Sequence, residues 1–144
     1  MSSCLRREVW RAHPFPETPI AEDVAWGKRV LLAGWELAYA PESVVIHSHD
    51  RSLRYELERT RLLHAELLRL FGLETVGSLR GLARAVAATL PHHLRCLAAD
   101  AARRGPDPGE WLRVLGLACV WPTAQYLGVR RARLAARDAL AGEA

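Results

Sequence analysis

The run Val44-Val45-Ile46 constrains this chain more than any other three residues. Three consecutive β-branched side chains favour a strand, and an apolar run without alternation asks for burial on both faces. A second strand pattern, residues 35–39, precedes it across a turn at Ala40-Pro41-Glu42. The rest of the sequence reads as irregular chain or helix and offers no sheet partner. The run is therefore expected to have exposed edges and an uncovered face, and the chain to be marginally stable or to self-associate.

The residues around this run are the ones that carry chemistry. Pro14, Pro16 and Pro19 keep residues 1–20 irregular, apart from a short helix or turn over 6–12. Glu22 and Asp23 then open a helix expected to run to about residue 33, where acidic side chains suit the positive end of the helix dipole. Val24, Val30 and Leu31 give it an apolar side, and Gly34 stops it. The second strand, residues 43–47, runs directly into His47-Ser48-His49. A carboxylate at a helix N-terminus and imidazoles at a strand end are placed to converge on one pocket, and no other part of the chain has such a layout.

Residues 51–144 read as helical. Asp50 or Ser52 can cap a helix to residue 71, with Leu53, Leu57, Thr60, Leu63, Leu67 and Leu70 on one stripe and Gly72 as its stop. Glu56–Arg59, Glu58–Arg61 and Glu66–Arg69 are spaced for weak surface pairing. Ser78 caps a helix over 79–104 with a kink or break expected at Pro91. Gly105-Pro106-Asp107-Pro108-Gly109 reads as a turn, and a last helical region over 110–140 is expected to be interrupted near Pro122 and Gly128. There is no internal repeat.

Charge separates the same two regions. Residues 1–50 hold five basic against seven acidic side chains, and residues 51–144 hold fifteen against nine. The three cysteines are far apart and form no CxxC, which fits a reducing compartment. Zinc would need four ligands at short recurring spacings, whereas His64, His92, His93 and the cysteines are scattered; surface histidines and core cysteines are expected instead. No signal segment is expected, because the first residues lack an apolar stretch. No window of about 18–20 uninterrupted apolar residues occurs.

The ordered set Ser2-Ser3, Arg6-Arg7, Phe15-Pro16-Glu17, Glu22-Asp23, Trp26, Arg29, Gly34, Tyr39, Pro41, His47-Ser48-His49 and Ser52 resembles the C-terminal part of the catalytic domain of family-2 glycosyltransferases, most closely the bacterial rhamnosyltransferase-like branch. The resemblance covers the first third of the chain. It implies an α/β fragment followed by α: residues 1–50 as the C-terminal, acceptor-side part of a GT-A-like catalytic domain, and residues 51–144 as a helical C-terminal region. It also implies inverting transfer of a sugar, rhamnose in this branch, from a nucleotide-sugar donor to a glycan or lipid-linked acceptor. Such enzymes begin with a nucleotide-binding half carrying an Asp-x-Asp metal motif, and this sequence contains no Asp-x-Asp. The chain by itself is therefore expected to be inactive, and a Mg²⁺ or Mn²⁺ ion is expected only together with that half.

Residue by residue, the resemblance makes Asp23 the base that takes the proton of the acceptor hydroxyl, with Glu22 as a supporting contact. A neutral hydroxyl is a poor nucleophile, so a carboxylate within hydrogen-bond reach suits that task. His47 and His49 are the candidates for the metal or diphosphate side. They point to opposite faces if the strand continues through both, and His47, which directly follows the buried run, is preferred. Arg6 is a candidate contact to diphosphate or acceptor. Arg29, on the helix body, is read as structural. Trp26 is open between core packing and stacking on an apolar sugar face.

Two other classes of function compete. Arg-rich helices flanked by Leu and Trp faces suit docking to an anionic membrane or a partner protein without catalysis. Binding of nucleic acid ranks last, because acids are interleaved, Lys28 is the only lysine and no recognition motif is present. The expected location is cytoplasmic, with peripheral attachment to the inner face of the plasma membrane as an extension of the enzyme reading.

Overall fold

The computed structural model describes residues 4–46 and 51–142. Among these residues there are five α-helices and no strand: α1 (Arg7–Ala12), α2 (Glu22–Leu32), α3 (Leu53–Phe71), α4 (Leu79–Arg104) and α5 (Pro108–Gly142). The chain divides into two compact units, Met1–Asp50 and Arg51–Ala144.

The first unit is built around one tryptophan. Val9 of α1 and Trp26 and Val30 of α2 form its buried cluster. The ring of Phe15 stacks on Trp26, with centroids 5.3 Å apart and planes 27° from parallel. The indole N–H of Trp26 donates to the His13 carbonyl at 2.5 Å, and Arg29 donates to the Pro14 carbonyl at 3.1 Å. The proline-rich loop that no regular element can hold is thus tied to α2 by two side chains. The α2 helix ends in a Schellman motif: Gly34 takes φ +86°, its N–H donates to Leu31, and the N–H of Trp35 reaches back to Val30.

The second unit has no large-residue centre. Its two closest-packed helices, α3 and α5, meet through small residues. Ala118 and Ala124 are fully buried, and a Cβ on Gly128 would lie 2.3 Å from the Arg61 carbonyl oxygen. That distance leaves space only for glycine and brings the two backbones together. His64 is buried beside this crossing, and its Nδ1 lies 2.9 Å from the Thr75 hydroxyl. Desolvation holds its imidazole below the ordinary value, so the neutral form is favoured.

The caps explain where these helices begin and end. The hydroxyl of Ser52 accepts from Tyr55 N–H at 3.2 Å, and that of Ser78 accepts from Gly81 N–H at 3.1 Å. Gly72 closes α3 with φ +65°. Asp107 accepts from the N–H groups of Gly109 and Glu110, with Pro108 in the first helical position where its missing donor costs nothing. On α3, Glu58–Arg61 and Glu66–Arg69 pair. Glu56 accepts from the indole N–H of Trp121 at 3.4 Å.

Four expectations are corrected. The α/β front, a fragment of a GT-A-like domain, is not the fold: the described residues are all-α. The turn before Ser43 forms, with Ser43 N–H donating to the Ala40 carbonyl, but residues 35–39 and 43–46 do not pair across it. A strand exists only in a ladder, and two short apolar runs cannot supply one by composition alone. Val44 and Ile46, expected to be buried on both faces, are 80% and 102% exposed. Secondly, α4 continues through Pro91 and α5 through Pro122 and Gly128. Near the prolines, side chains occupy backbone carbonyls: Thr89 bonds Ala85, and Thr123 bonds Cys119 at 2.8 Å. Thirdly, the turn after Gly105 is shorter than expected, because α5 starts at Pro108. Lastly, His64 is buried and all three cysteines are exposed, against expectation, whereas His92 is at the surface as expected.

Candidate functional site

The candidate site lies on the first turn of α2. Ala21, Glu22 and Asp23 follow the proline-rich loop, and Ala21 makes the turn into the helix with φ 60° and ψ 33°. This is the left-handed region, which alanine enters at a cost of roughly 1–2 kcal/mol. Ala21 is buried, and its carbonyl accepts the first helical bond from Ala25 at 2.9 Å. The strained residue therefore sits directly before the two acids and sets the direction in which they leave the loop.

Asp23 and Glu22 are both exposed. The Asp23 carboxylate accepts from the N–H of Val24 at 2.8 Å. This fixes one oxygen against the helix end and leaves the group open to solvent. A carboxylate in that position can take a proton from a hydroxyl brought within hydrogen-bond reach. Trp26, one turn further on, is buried. It is 5% exposed, with one face covered by Phe15 and its N–H committed to His13. Of the two readings open for Trp26, packing is the one that describes its surroundings. Arg29 lies on the loop backbone, in the structural role read for it.

Arg6 precedes α1. Its side chain is three-quarters exposed, with Nη1 3.9 Å from the Glu8 carboxylate. Among the described residues no hydrogen bond or ion pair links it to Asp23 or Glu22. His47 and His49 lie outside the described residues, and so does the expected convergence of imidazole and carboxylate. Among the described residues no group of three or more His, Cys, Asp or Glu is placed to hold a metal ion. A shallow apolar hollow lined by Pro106, Pro108 and Trp111 belongs to the other unit.

Sequence reasoning missed the Ala21 turn and the Phe15–Trp26 stack. Nothing in an alanine announces a left-handed φ; a glycine there would have. The stack had a visible signal, an aromatic residue eleven positions before the tryptophan across two prolines, but no local rule connects the two.

Comparison with known proteins reaches part of this chain. The O-antigen chain rhamnosyltransferase WbaN of Salmonella anatum is 42% identical over 68 residues, which covers 44% of this chain and 22% of that protein. The O-antigen chain rhamnosyltransferase RfbN of Salmonella typhimurium is 38% identical over 68 residues, with the same coverage of each chain. Part of this chain is rhamnosyltransferase-like. The matched stretch spans about a fifth of the length of these curated relatives. No family model matches the chain, and no solved structure does.

Proposed function

We propose that this chain forms the acceptor-side part of a cytoplasmic glycosyltransferase that moves rhamnose from a nucleotide-sugar donor to a glycan acceptor of the cell envelope, with inversion. The observation that carries this reading is the 42% identity to an O-antigen chain rhamnosyltransferase over 68 residues. The exposed carboxylate of Asp23 on the first turn of α2 is in keeping with it.

In the proposed step, Asp23 accepts the proton of an acceptor hydroxyl as that oxygen attacks the anomeric carbon. The new carbon–oxygen bond forms on one face of the sugar. The bond to the nucleoside diphosphate breaks on the other, and the diphosphate leaves with the electron pair. Attack opposite the leaving group inverts the anomeric centre. Glu22, beside Asp23 and also exposed, would contact the acceptor. Arg6 would meet the diphosphate or the acceptor. The described residues do not fit a divalent cation, since no three ligands come together. In this reading a Mg²⁺ or Mn²⁺ ion would be held by His47, His49 and donor-side residues of the transferase, and no step is derived through it.

A chimera tests the assignment. This chain is placed in the Salmonella anatum enzyme in exchange for the matching segment, and transfer of labelled rhamnose to its glycan acceptor is followed. Transfer by the chimera, with Asp23→Asn lowering kcat at least about 100-fold at unchanged expression, is the expected result. Equal rates for the chimera and its Asp23→Asn form would remove Asp23 from the reaction. The chain alone is expected to transfer nothing, so turnover by it would show that the donor site is not missing.

A further inference from the structure

We propose that the outward face of α4 docks on the surface of a bilayer carrying anionic headgroups. This rests on the second unit alone and stands apart from the transferase reading.

Residues 79–99 of α4 contain no Asp or Glu; the first acid is Asp100. Arg80, Arg84 and Arg95 are all exposed. At 100° per residue they fall within about 60° of one another around the axis and span about 22 Å along it. Arg95 folds back on the Pro91 carbonyl at 3.3 Å, while Arg80 and Arg84 have no acidic partner among the described residues. The positive charge on this face is therefore not offset locally.

Apolar groups occupy the same face. Leu94, about 40° from Arg80 around the axis, is 39% exposed; Ala87 and Pro91 are exposed between the arginines, and Ala98 is exposed just beyond Arg95. The opposite side of α4, with Leu97 buried, is the one turned to its own unit, where α4 packs against α5. A strip of cations with leucine and alanine beside it matches the two layers of a membrane surface. Guanidinium heads reach the phosphates while their stems and Leu94 lie against the upper acyl region. Nucleic acid would use the arginines and leave Leu94 and the alanines in water, so charge and apolarity together favour lipid. Among the described residues no helix is long and apolar enough to cross a membrane, so the contact is with the surface.

The test is flotation of the full chain with phosphatidylcholine vesicles, with and without phosphatidylglycerol. Binding is expected only with phosphatidylglycerol, and it should weaken as salt is raised. Each arginine is expected to contribute about fivefold, so R80Q/R84Q/R95Q should lose about a hundredfold in partitioning while melting as the wild type does. A triple of equal charge on α3 and α5, R59Q/R130Q/R137Q, should lose much less. L94Q should lose the part of binding that survives high salt. An equal loss in both arginine triples would overturn the assignment to α4. So would absence of binding to anionic vesicles, or displacement of the chain from them by duplex DNA at equal charge concentration.

Discussion

The two units hold themselves together in different ways. The first, which carries Glu22 and Asp23, hangs a proline-rich loop and two helices on one buried tryptophan, and then leaves residues 31–46 exposed. The second, with none of the residues proposed for chemistry, sets long helices against each other so closely that a glycine is required at the crossing. Large side chains organise one and small ones the other. A core resting on a single aromatic ring responds to loss of volume; a seam of glycine and alanine responds to gain of volume.

The largest effect that bears on this contrast is expected from Trp26→Ala. It removes the ring that covers Val9, Val30 and Phe15 and leaves the His13 carbonyl without its donor. A loss of about 3–5 kcal/mol is expected, read as faster amide exchange in residues 4–46 with residues 51–142 unchanged. Equal loss of protection in both ranges would mean that the two units unfold as one. Next comes Gly128→Ala, whose added methyl would meet the Arg61 backbone, a neighbour that cannot rotate away. Overpacking of this kind is expected to cost about 2–3 kcal/mol, seen as a lower Tm with exchange accelerated in α3 and α5.

A smaller effect is set by pH. Burial lowers the His64 pKa, so the unfolded chain binds this proton more readily than the folded one. The stability His64 contributes is complete above the ordinary imidazole value of 6.5 and is lost as pH falls through it toward the lower folded value. The Tm of the second unit is expected to fall between pH 7.5 and 5.5, and His64→Gln should flatten that slope. The smallest effect concerns Ala21. Glycine adopts its left-handed turn freely, so Ala21→Gly should raise the stability of the first unit by about 0.5–1 kcal/mol in chemical denaturation. A decrease would mean that the buried methyl outweighs the backbone strain.

The fold was legible in the sequence wherever one residue does a local job. Ser52, Gly72, Ser78 and Gly105 mark helix ends through their own hydroxyls or positive φ, and α3 and α4 begin and end where those residues indicate. Legibility failed where the deciding partner is distant. Gly128 reads as a helix breaker in isolation, while its role is to admit the Arg61 backbone. Val44-Val45-Ile46 reads as a buried strand, yet burial depends on a ladder that the described residues do not provide. His64 and the cysteines were misplaced because scattered spacing says nothing about depth. Of the candidate site, the position of Asp23 on the first turn of a helix could be read directly, as could the structural role of Arg29. The left-handed Ala21 beneath the acids could not.

The exposed stretch after α2 also bears on the lifetime of the protein. A segment of irregular backbone carrying Leu37, Tyr39, Val44 and Ile46 in the open is what a protease cleft accepts. One cut between Tyr39 and Val44 would sever the acids of α2 from the three long helices and leave every cap and crossing of those helices intact. Turnover would then remove the proposed chemistry first and leave behind a folded helical remnant.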